Sequence, residues 1–350
     1  MRGLVINGKF LSQKTTGVQR VAHALTSELL SRDLGIKIRV AAPKAAQNPW
    51  ATGAGASVLK GVPWEQLELP VIAGKDLLVS LCNVAPVARN GDVVMIHDAQ
   101  AFISPKSYSS AFRTYYQTLL PIIGARASRV LTVSNYSADC LTQNGIAPRE
   151  KIDVIHNGVD HILTIARNDE VLERLNLKGR PFLAALGSVQ HHKNIKTLVA
   201  AAARFANKEA RLVLIGAATR ADYEAAGIEV GESVCLAGRL SDEDMRSVVE
   251  HAQAFLFPSL TEGFGLPPLE AMLLGTPAIV APCGAMPELC IGDALFCEAE
   301  NVGEWADTIN NLLADSALRA QYSKLGIERA KKYTWASAGD KLAEVLLRSL

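Results

Sequence analysis

The stretch Pro258-Ser259-Leu260-Thr261-Glu262-Gly263-Phe264-Gly265-Leu266-Pro267-Pro268-Leu269-Glu270-Ala271-Met272 carries the densest punctuation in this 350-residue chain. The apolar run Phe255 to Phe257 ahead of it reads as a strand and the stretch that follows as a helix, so the glycines fall in a strand-to-helix loop. Gly263 and Gly265 let the backbone approach a ligand closely, and Pro267 suits a first helical turn, where its missing N–H would have no partner anyway. Free amides at such a helix start attract phosphate. Glu262 and Glu270 flank the loop; if most of their span is helical they lie roughly 12 Å apart at about 1.5 Å per residue. That separation suits a nucleotide diphosphate sugar laid along the helix start, with hydroxyls at both ends and phosphates between.

Working outward, short β-rich runs recur at Leu4-Val5-Ile6, Ile36 to Ala41, Leu77 to Leu81, Val93 to Ile96, Val130 to Val133 and Val154-Ile155. Helical patterns lie among them at Gly17 to Ser31, with Val18, Val21, Leu25 and Leu29 on one face, and at Ser109 to Ala127. The alternation restarts after about residue 165, with strands at Phe182 to Leu186, Leu212 to Ile215, Val234 to Leu236, Phe255 to Phe257 and Ala278 to Ala281. Helices at Asn194 to Ala206 and Asp242 to Ala252 join them, and Thr334 to Leu350 forms a last amphipathic helix. Repeated βαβ units imply two parallel sheets, in which ligands gather at the carboxyl ends of strands. The boundary is expected between Asp160 and Asp169.

The bulk properties agree with two globular domains. The length allows about two domains of roughly 150 residues, and a composition 49% hydrophobic, 20% charged and 6% aromatic excludes a disordered chain, a collagen-like repeat and a disulfide scaffold. The nearest candidate for a membrane span, Leu266 to Met286, is broken by Pro267, Pro268, Gly275, Pro277, Pro282 and Gly284 and carries Glu270, so none is expected. Met1 to Ser12 lacks the apolar core of a secretory signal, and the six cysteines form no C-x-x-C pair, so a cytoplasmic protein with reduced thiols and no structural zinc is expected. Residues 1–160 hold 17 Lys plus Arg against 11 Asp plus Glu, whereas residues 161–350 hold 19 against 24. Without zinc fingers or RNP-like motifs, the basic half fits phosphate ligands or an anionic membrane surface better than nucleic acid. A chance imbalance of solvated surface is the equally simple reading.

Further motifs lie elsewhere: Thr16-Gly17-Val18-Gln19-Arg20, His97-Asp98, Val133-Ser134, His156-Asn157-Gly158-Val159-Asp160, the segment Gly187 to Asn194, Gly275-Thr276-Pro277, the Glu288 segment and Tyr333-Thr334-Trp335. Together with the E-x7-E element Glu262 to Glu270, these resemble the retaining, metal-independent glycosyltransferases of family 4 (group 1), polysaccharide-assembly type, over nearly the whole chain. The resemblance implies an α/β GT-B fold: two Rossmann-like doubly wound domains facing a cleft, with a C-terminal helix crossing back to the first domain. Residues 1–160 would form the acceptor-side domain, 161–333 the donor-binding domain and 334–350 the closing helix.

The resemblance also implies roles. Glu270 would meet the ribose hydroxyls, Glu262 the hydroxyls of the transferred sugar, and Lys193 would neutralise the diphosphate. Gly17, Ser188, Gly263, Phe264, Gly265 and Leu266 would complete the donor site. His97 would contact the transferred sugar and help place the acceptor, with Asp98 and Arg20 on the acceptor side. Glu262, His97 and Lys193 are thus the catalytic candidates, with no metal and no cofactor. His191 and His192 stand where relatives often carry Pro-Arg, and Ser188 where some carry Arg, which leaves phosphate neutralisation to Lys193 alone. The implied activity is retaining transfer of a hexose, with mannose from GDP-mannose as first choice, to a saccharide or lipid-linked saccharide; the charge split, not the resemblance, adds a peripheral position at the cytoplasmic face of an anionic membrane.

Three alternatives stay open. A dinucleotide oxidoreductase would show G-x-G-x-x-G after the first strand of a half, which neither half has. A GT-B nucleotide-sugar epimerase would interconvert its substrate without an acceptor. A non-catalytic nucleotide-sugar binding protein would hold the donor without turnover.

Overall fold

The computed structural model describes residues 3–44, 46, 49–50 and 58–350; Met1 and Arg2 of the N-terminal segment read above lie outside them. The chain forms two compact units, one of Met1–Gly158 with Thr334–Leu350 and one of Val159–Tyr333.

Unit 1 runs β1 (Leu4–Asn7), α1 (Gly17–Leu30), β2 (Ile38–Ala41), β3 (Leu77–Ser80), β4 (Val93–Met95), α2 (Ser110–Arg126), β5 (Arg129–Thr132) and β6 (Ile152–Val154). Every pairing is parallel, in the order β2-β1-β3-β4-β5-β6. The central strands are short apolar runs because helices cover both faces of such a sheet, and Leu4, Ile6, Leu77 and Val79 are fully buried. This is the flavodoxin-like arrangement, whose switch point lies between β1 and β3.

Unit 2 runs β7 (Phe182–Leu186), α3 (Ile195–Ala202), β8 (Arg211–Ile215), β9 (Val234–Gly238), α4 (Asp242–His251), β10 (Phe255–Phe257), α5 (Leu266–Leu273), β11 (Ala278–Val280), α6 (Met286–Cys290), β12 (Leu295–Phe296), α7 (Val302–Ala314) and α8 (Ser316–Ala330). The sheet order β12-β11-β10-β7-β8-β9 is the Rossmann order, and its switch point lies between β7 and β10. Leu183, Leu198, Leu214, Leu256 and Trp305 pack into one core. Val159 N–H donates to Tyr333 C=O at 2.9 Å, tying together the two ends of the unit.

The last helix, α9 (Trp335–Ser349), belongs to unit 1 and packs along α1. Glycine is required at the contact: a Cβ on Gly339 would fall 2.7 Å from Glu28 Cβ and from Arg32 Nη1. Arg32 reaches across to Asp340 at 2.9 Å and to the Ala336 carbonyl at 2.7 Å. The crossing back of the C-terminal helix read from the sequence is therefore present. Several elements escaped that reading, among them β12, α6, α7 and α8. Strand β12 is two residues long, and α7 and α8 lie beyond the ligand-side motifs; α8 buries only Gly326 and Ala330, which leaves no apolar stripe to detect.

Candidate functional site

At a switch point, neighbouring strands send their connections to opposite faces of the sheet and open a crevice at the strand ends. In unit 2 the two connections are residues 187–194 after β7 and 258–265 after β10, the segments that carry the densest motifs. They are bound to each other. Leu260 N–H donates to the His192 carbonyl at 2.8 Å. Asn194, 2% exposed, donates through Nδ2 to the carbonyls of Pro258 at 3.1 Å and Ala299 at 2.6 Å, and accepts from Thr197 Oγ1 at 2.9 Å. Its backbone is left-handed, φ +52°, a conformation asparagine tolerates better than other residues with a Cβ.

This clamp brings Lys193 to Glu262, Nζ to Oε1 at 2.6 Å, with side chains 25% and 16% exposed. Lys193 Nζ also lies 5.9 Å from the Phe257 ring centroid, on strand β10. Beside it, burial first and then the Lys193 charge push the His192 imidazole down to about 4, so it is neutral at pH 7. The positive charge at the end of the 187–194 loop therefore comes from Lys193, and the fold matches it with Glu262.

A third segment buttresses Glu262. Ala285 N–H donates to the Glu262 carbonyl at 3.0 Å, and a Cβ on Gly284 (φ +63°) would lie 2.4 Å from Glu262 N and 2.5 Å from its carbonyl oxygen. Gly265, φ +95°, is the N-cap of α5. Helix begins only at Leu266, so the spacing of Glu262 and Glu270 reckoned along a continuous helix does not apply. The helix start also offers fewer donors than its position promised: Pro267 and Pro268 have no N–H, which leaves Leu266 alone among the first three helical residues able to donate. Phe264, 5% exposed, stands edge-on to Tyr333 with centroids 5.9 Å apart. Glu270 is 8% exposed on α5 with Oε1 3.2 Å from His161 Nε2. Ser188 Oγ accepts from the Gln190 amide at 3.2 Å and is half-buried.

The remaining candidates belong to unit 1. Gly17 is exposed at the first turn of α1, where the Thr16 amide donates to Gln19 Oε1 at 3.2 Å, and Arg20 lies one turn on. His97 follows β4 and is 5% exposed. Its Nε2 lies 2.9 Å from the Leu81 carbonyl, which can only accept, so Nε2 carries the proton and Nδ1 the lone pair. Burial pushes this imidazole down to about 4, and it is neutral at pH 7. Its amide donates to Asn83 Oδ1 at 2.8 Å, and Asp98 accepts from the Gln100 amide at 3.0 Å.

The structure thus gathers Lys193, Glu262, Gly263, Phe264, Gly265 and Leu266 at one switch point, with Glu270 one turn into the helix that follows, and holds Gly17, Arg20, His97 and Asp98 in the other unit. Sequence reasoning missed Asn194 as the clamp, Gly284 as the close approach and His161 as the partner of Glu270. Asn194 carried a legible signal, an asparagine directly before a helix; His161 carried none. Among the described residues no three of His, Cys, Asp and Glu come together as ligands for an ion.

Asn194→Ala should destabilise unit 2 by about 2–4 kcal/mol, since two buried carbonyls lose their donor and each unsatisfied group costs about 1–3 kcal/mol. A urea denaturation curve checks it; a midpoint equal to that of the wild type would show that the clamp carries no energy.

Residues 168–329 match the family described as glycosyl transferases group 1, and residues 77–162 match glycosyltransferase family 4. The O-antigen chain mannosyltransferase RfbU of Salmonella typhimurium is 26% identical over 256 residues, 71% of this chain and 68% of that protein. The D-inositol 3-phosphate glycosyltransferase of Mycolicibacterium smegmatis is 25% identical over 276 residues, 74% of this chain and 62% of that one. The match thus spans about two thirds of the length of these relatives. Among solved structures, Anabaena Alr3699/HepE in complex with UDP-glucose superposes with a TM-score of 0.75 at 20% identity, covering 99% of this chain and 100% of that one. At that identity the likeness is one of fold.

Proposed function

Since this chain belongs to the group 1/family 4 glycosyltransferases and has their GT-B fold, we propose that it transfers a hexose from a nucleotide sugar to a saccharide or lipid-linked saccharide in polysaccharide biosynthesis. The observation that carries the reading is the Lys193–Glu262 pair, held by Asn194 at the switch point of unit 2. A phosphate arriving there competes with Glu262 for the ammonium. Lys193 then balances the charge that builds on the leaving diphosphate, and the released Glu262 carboxylate accepts hydrogen bonds from the sugar hydroxyls. Glu270 takes the ribose hydroxyls.

Transfer proceeds with retention by front-face substitution. The bond from the anomeric carbon to the phosphate oxygen breaks, the acceptor oxygen bonds to the same face, and its proton passes to the departing phosphate. A double displacement would need a carboxylate nucleophile beneath the anomeric carbon, and this reading assigns none. His97, neutral at pH 7, serves the acceptor side together with Asp98 and Arg20. Mannose from GDP-mannose is the first donor to try, because one relative is named a mannosyltransferase; UDP-glucose is the second, from the complex with HepE.

The reading includes no divalent metal: the chain's Asp-x-Asp triplet, Asp242-Glu243-Asp244, forms the first turn of α4, where Asp244 accepts from Asn168 Nδ2 at 2.8 Å and pairs with Arg174, and Lys193 takes the place of the cation. Release of nucleoside diphosphate from the donor in the presence of a saccharide acceptor should stay within about twofold of its control rate in excess EDTA. Arrest by EDTA, reversed by Mn²⁺ or Mg²⁺, would refute it and recast the acidic residues as metal ligands.

A peripheral position at the cytoplasmic membrane face goes with a lipid-linked acceptor. Among the described residues no helix is long and apolar enough to cross a membrane. On α2, Phe112, Tyr115 and Ile122 are each 41% exposed, Phe112 stacks with Tyr108 at 4.9 Å and Arg113 lies among them, although Tyr116 turns inward onto the core. Of the arginines in this region, Arg129 is matched by Asp153 at 2.7 Å. Such a surface binds anionic headgroups weakly, with attraction fading beyond a Debye length of about 8 Å. Co-sedimentation with anionic vesicles should fall as salt rises; equal pelleting with neutral vesicles, or none at low salt, would remove the docking surface and leave the transferase reading intact.

A further inference from the structure

Unit 1 carries a recess that none of these assignments uses. A cavity of about 680 Å³ is lined by Lys9, Ser12, Gln13, Lys14, Pro43 and Lys60, among others, within the roughly 300–1,000 Å³ range of small-ligand sites. Residues 9–14 follow β1 and Pro43 follows β2, so it lies at the carboxyl ends of strands, and β1 borders the switch point of this sheet. Among the described residues, three lysines line it and no carboxylate does.

The lysines are not equivalent. Lys9 Nζ lies 2.6 Å from the Glu65 carboxylate, which is 2% exposed and also accepts from Asn7 Nδ2 at 2.9 Å. Lys9 is therefore fixed as a wall whose charge is matched from behind. Lys14 and Lys60 are exposed and leave a local excess of two positive charges beside the Gln13 side-chain amide, whose Oε1 accepts from Gln19 and whose Nε2 can donate, whereas the Ser12 hydroxyl gives its proton to the Lys9 carbonyl at 2.7 Å. Two ammonium groups and one neutral amide donor around an open recess complement a phosphate or diphosphate group.

We propose that this recess is a binding site for the phosphate or diphosphate group of an anionic acceptor, distinct from the donor-phosphate position at Lys193. The assignment to an acceptor rests on the transferase reading above; the anion site itself does not.

The test is calorimetric titration of inorganic pyrophosphate into the full chain saturated with a nucleoside diphosphate, which occupies the donor position. Wild-type protein should bind one further equivalent, and Lys14→Glu with Lys60→Glu should weaken that binding at least about tenfold while leaving nucleoside diphosphate affinity unchanged. Both side chains are exposed, so the exchange removes no core contact. No pyrophosphate binding in the wild type, or equal affinity in the double variant, would overturn the proposal. Lysine-dependent pyrophosphate binding by a protein that binds no nucleoside diphosphate would instead sustain the anion site and overturn the reading of unit 2.

Discussion

Lys193→Ala should lower sugar transfer by at least about 100-fold, the usual loss when one preorganised charge contact is removed from a site of this kind. The structure makes the loss larger than deletion of one cation alone. Lys193 and Glu262 stand 2.6 Å apart and are mostly shielded from water, so truncating the lysine leaves an unmatched carboxylate facing the incoming phosphates. Glu262→Gln removes the opposite charge and leaves the ammonium to attract the diphosphate; it should cut transfer by a comparable or smaller factor and retain more donor affinity. Because the two groups act as a pair, the double variant should lose much less than the product of the single losses. Circular dichroism controls for folding. Activity within about twofold of wild type in both single variants would remove the site.

Glu270→Ala should act mainly on binding. The carboxylate is 8% exposed, rigid on α5 and 3.2 Å from His161. Hydrogen bonds from ribose hydroxyls to a charged acceptor contribute about 1.5–3 kcal/mol, so losing them should weaken nucleoside diphosphate about 10- to 100-fold in calorimetry. Turnover at saturating donor should fall by less than for Lys193→Ala. A 2′-deoxy nucleotide should be discriminated against by the wild type and not by the variant. Unchanged affinity would leave Glu270 as no more than the partner of His161.

The contrast between these two residues shows what the sequence could tell. Ten of the twelve strands announced themselves as short β-rich runs, most of them apolar because helices cover both sheet faces, with the run of the edge strand β2 alternating through Lys37 and Arg39, and β6 was legible through Val154. The two-residue β12 had no pattern to offer. Gly263, Gly265 and Pro267 marked the loop before α5, since such a turn restricts the residue types it can hold. Partners were not legible. The Lys193–Glu262 pair joins residues 69 positions apart and the Asn194–Ala299 bond residues 105 apart, and those distances follow from a sheet order that places β10 beside β7. The helix ruler failed at Glu262 for a local reason: Gly265 takes a left-handed conformation and delays the helix to Leu266.

On the proposed function unit 2 binds a nucleotide sugar, and ligand-induced thermal stabilisation tests this without an acceptor. A ligand that binds only the native state stabilises it by about 2.7 kcal/mol at 100 times its dissociation constant. The chain should be titrated with UDP, GDP, their glucose and mannose conjugates, and the free sugars, in EDTA. One nucleoside diphosphate and its sugar should raise the melting temperature, the other nucleotide and the free sugars should not, and Lys193→Ala and Glu270→Ala should each diminish the rise. A wild-type melting temperature unmoved by every nucleotide and nucleotide sugar would contradict the account.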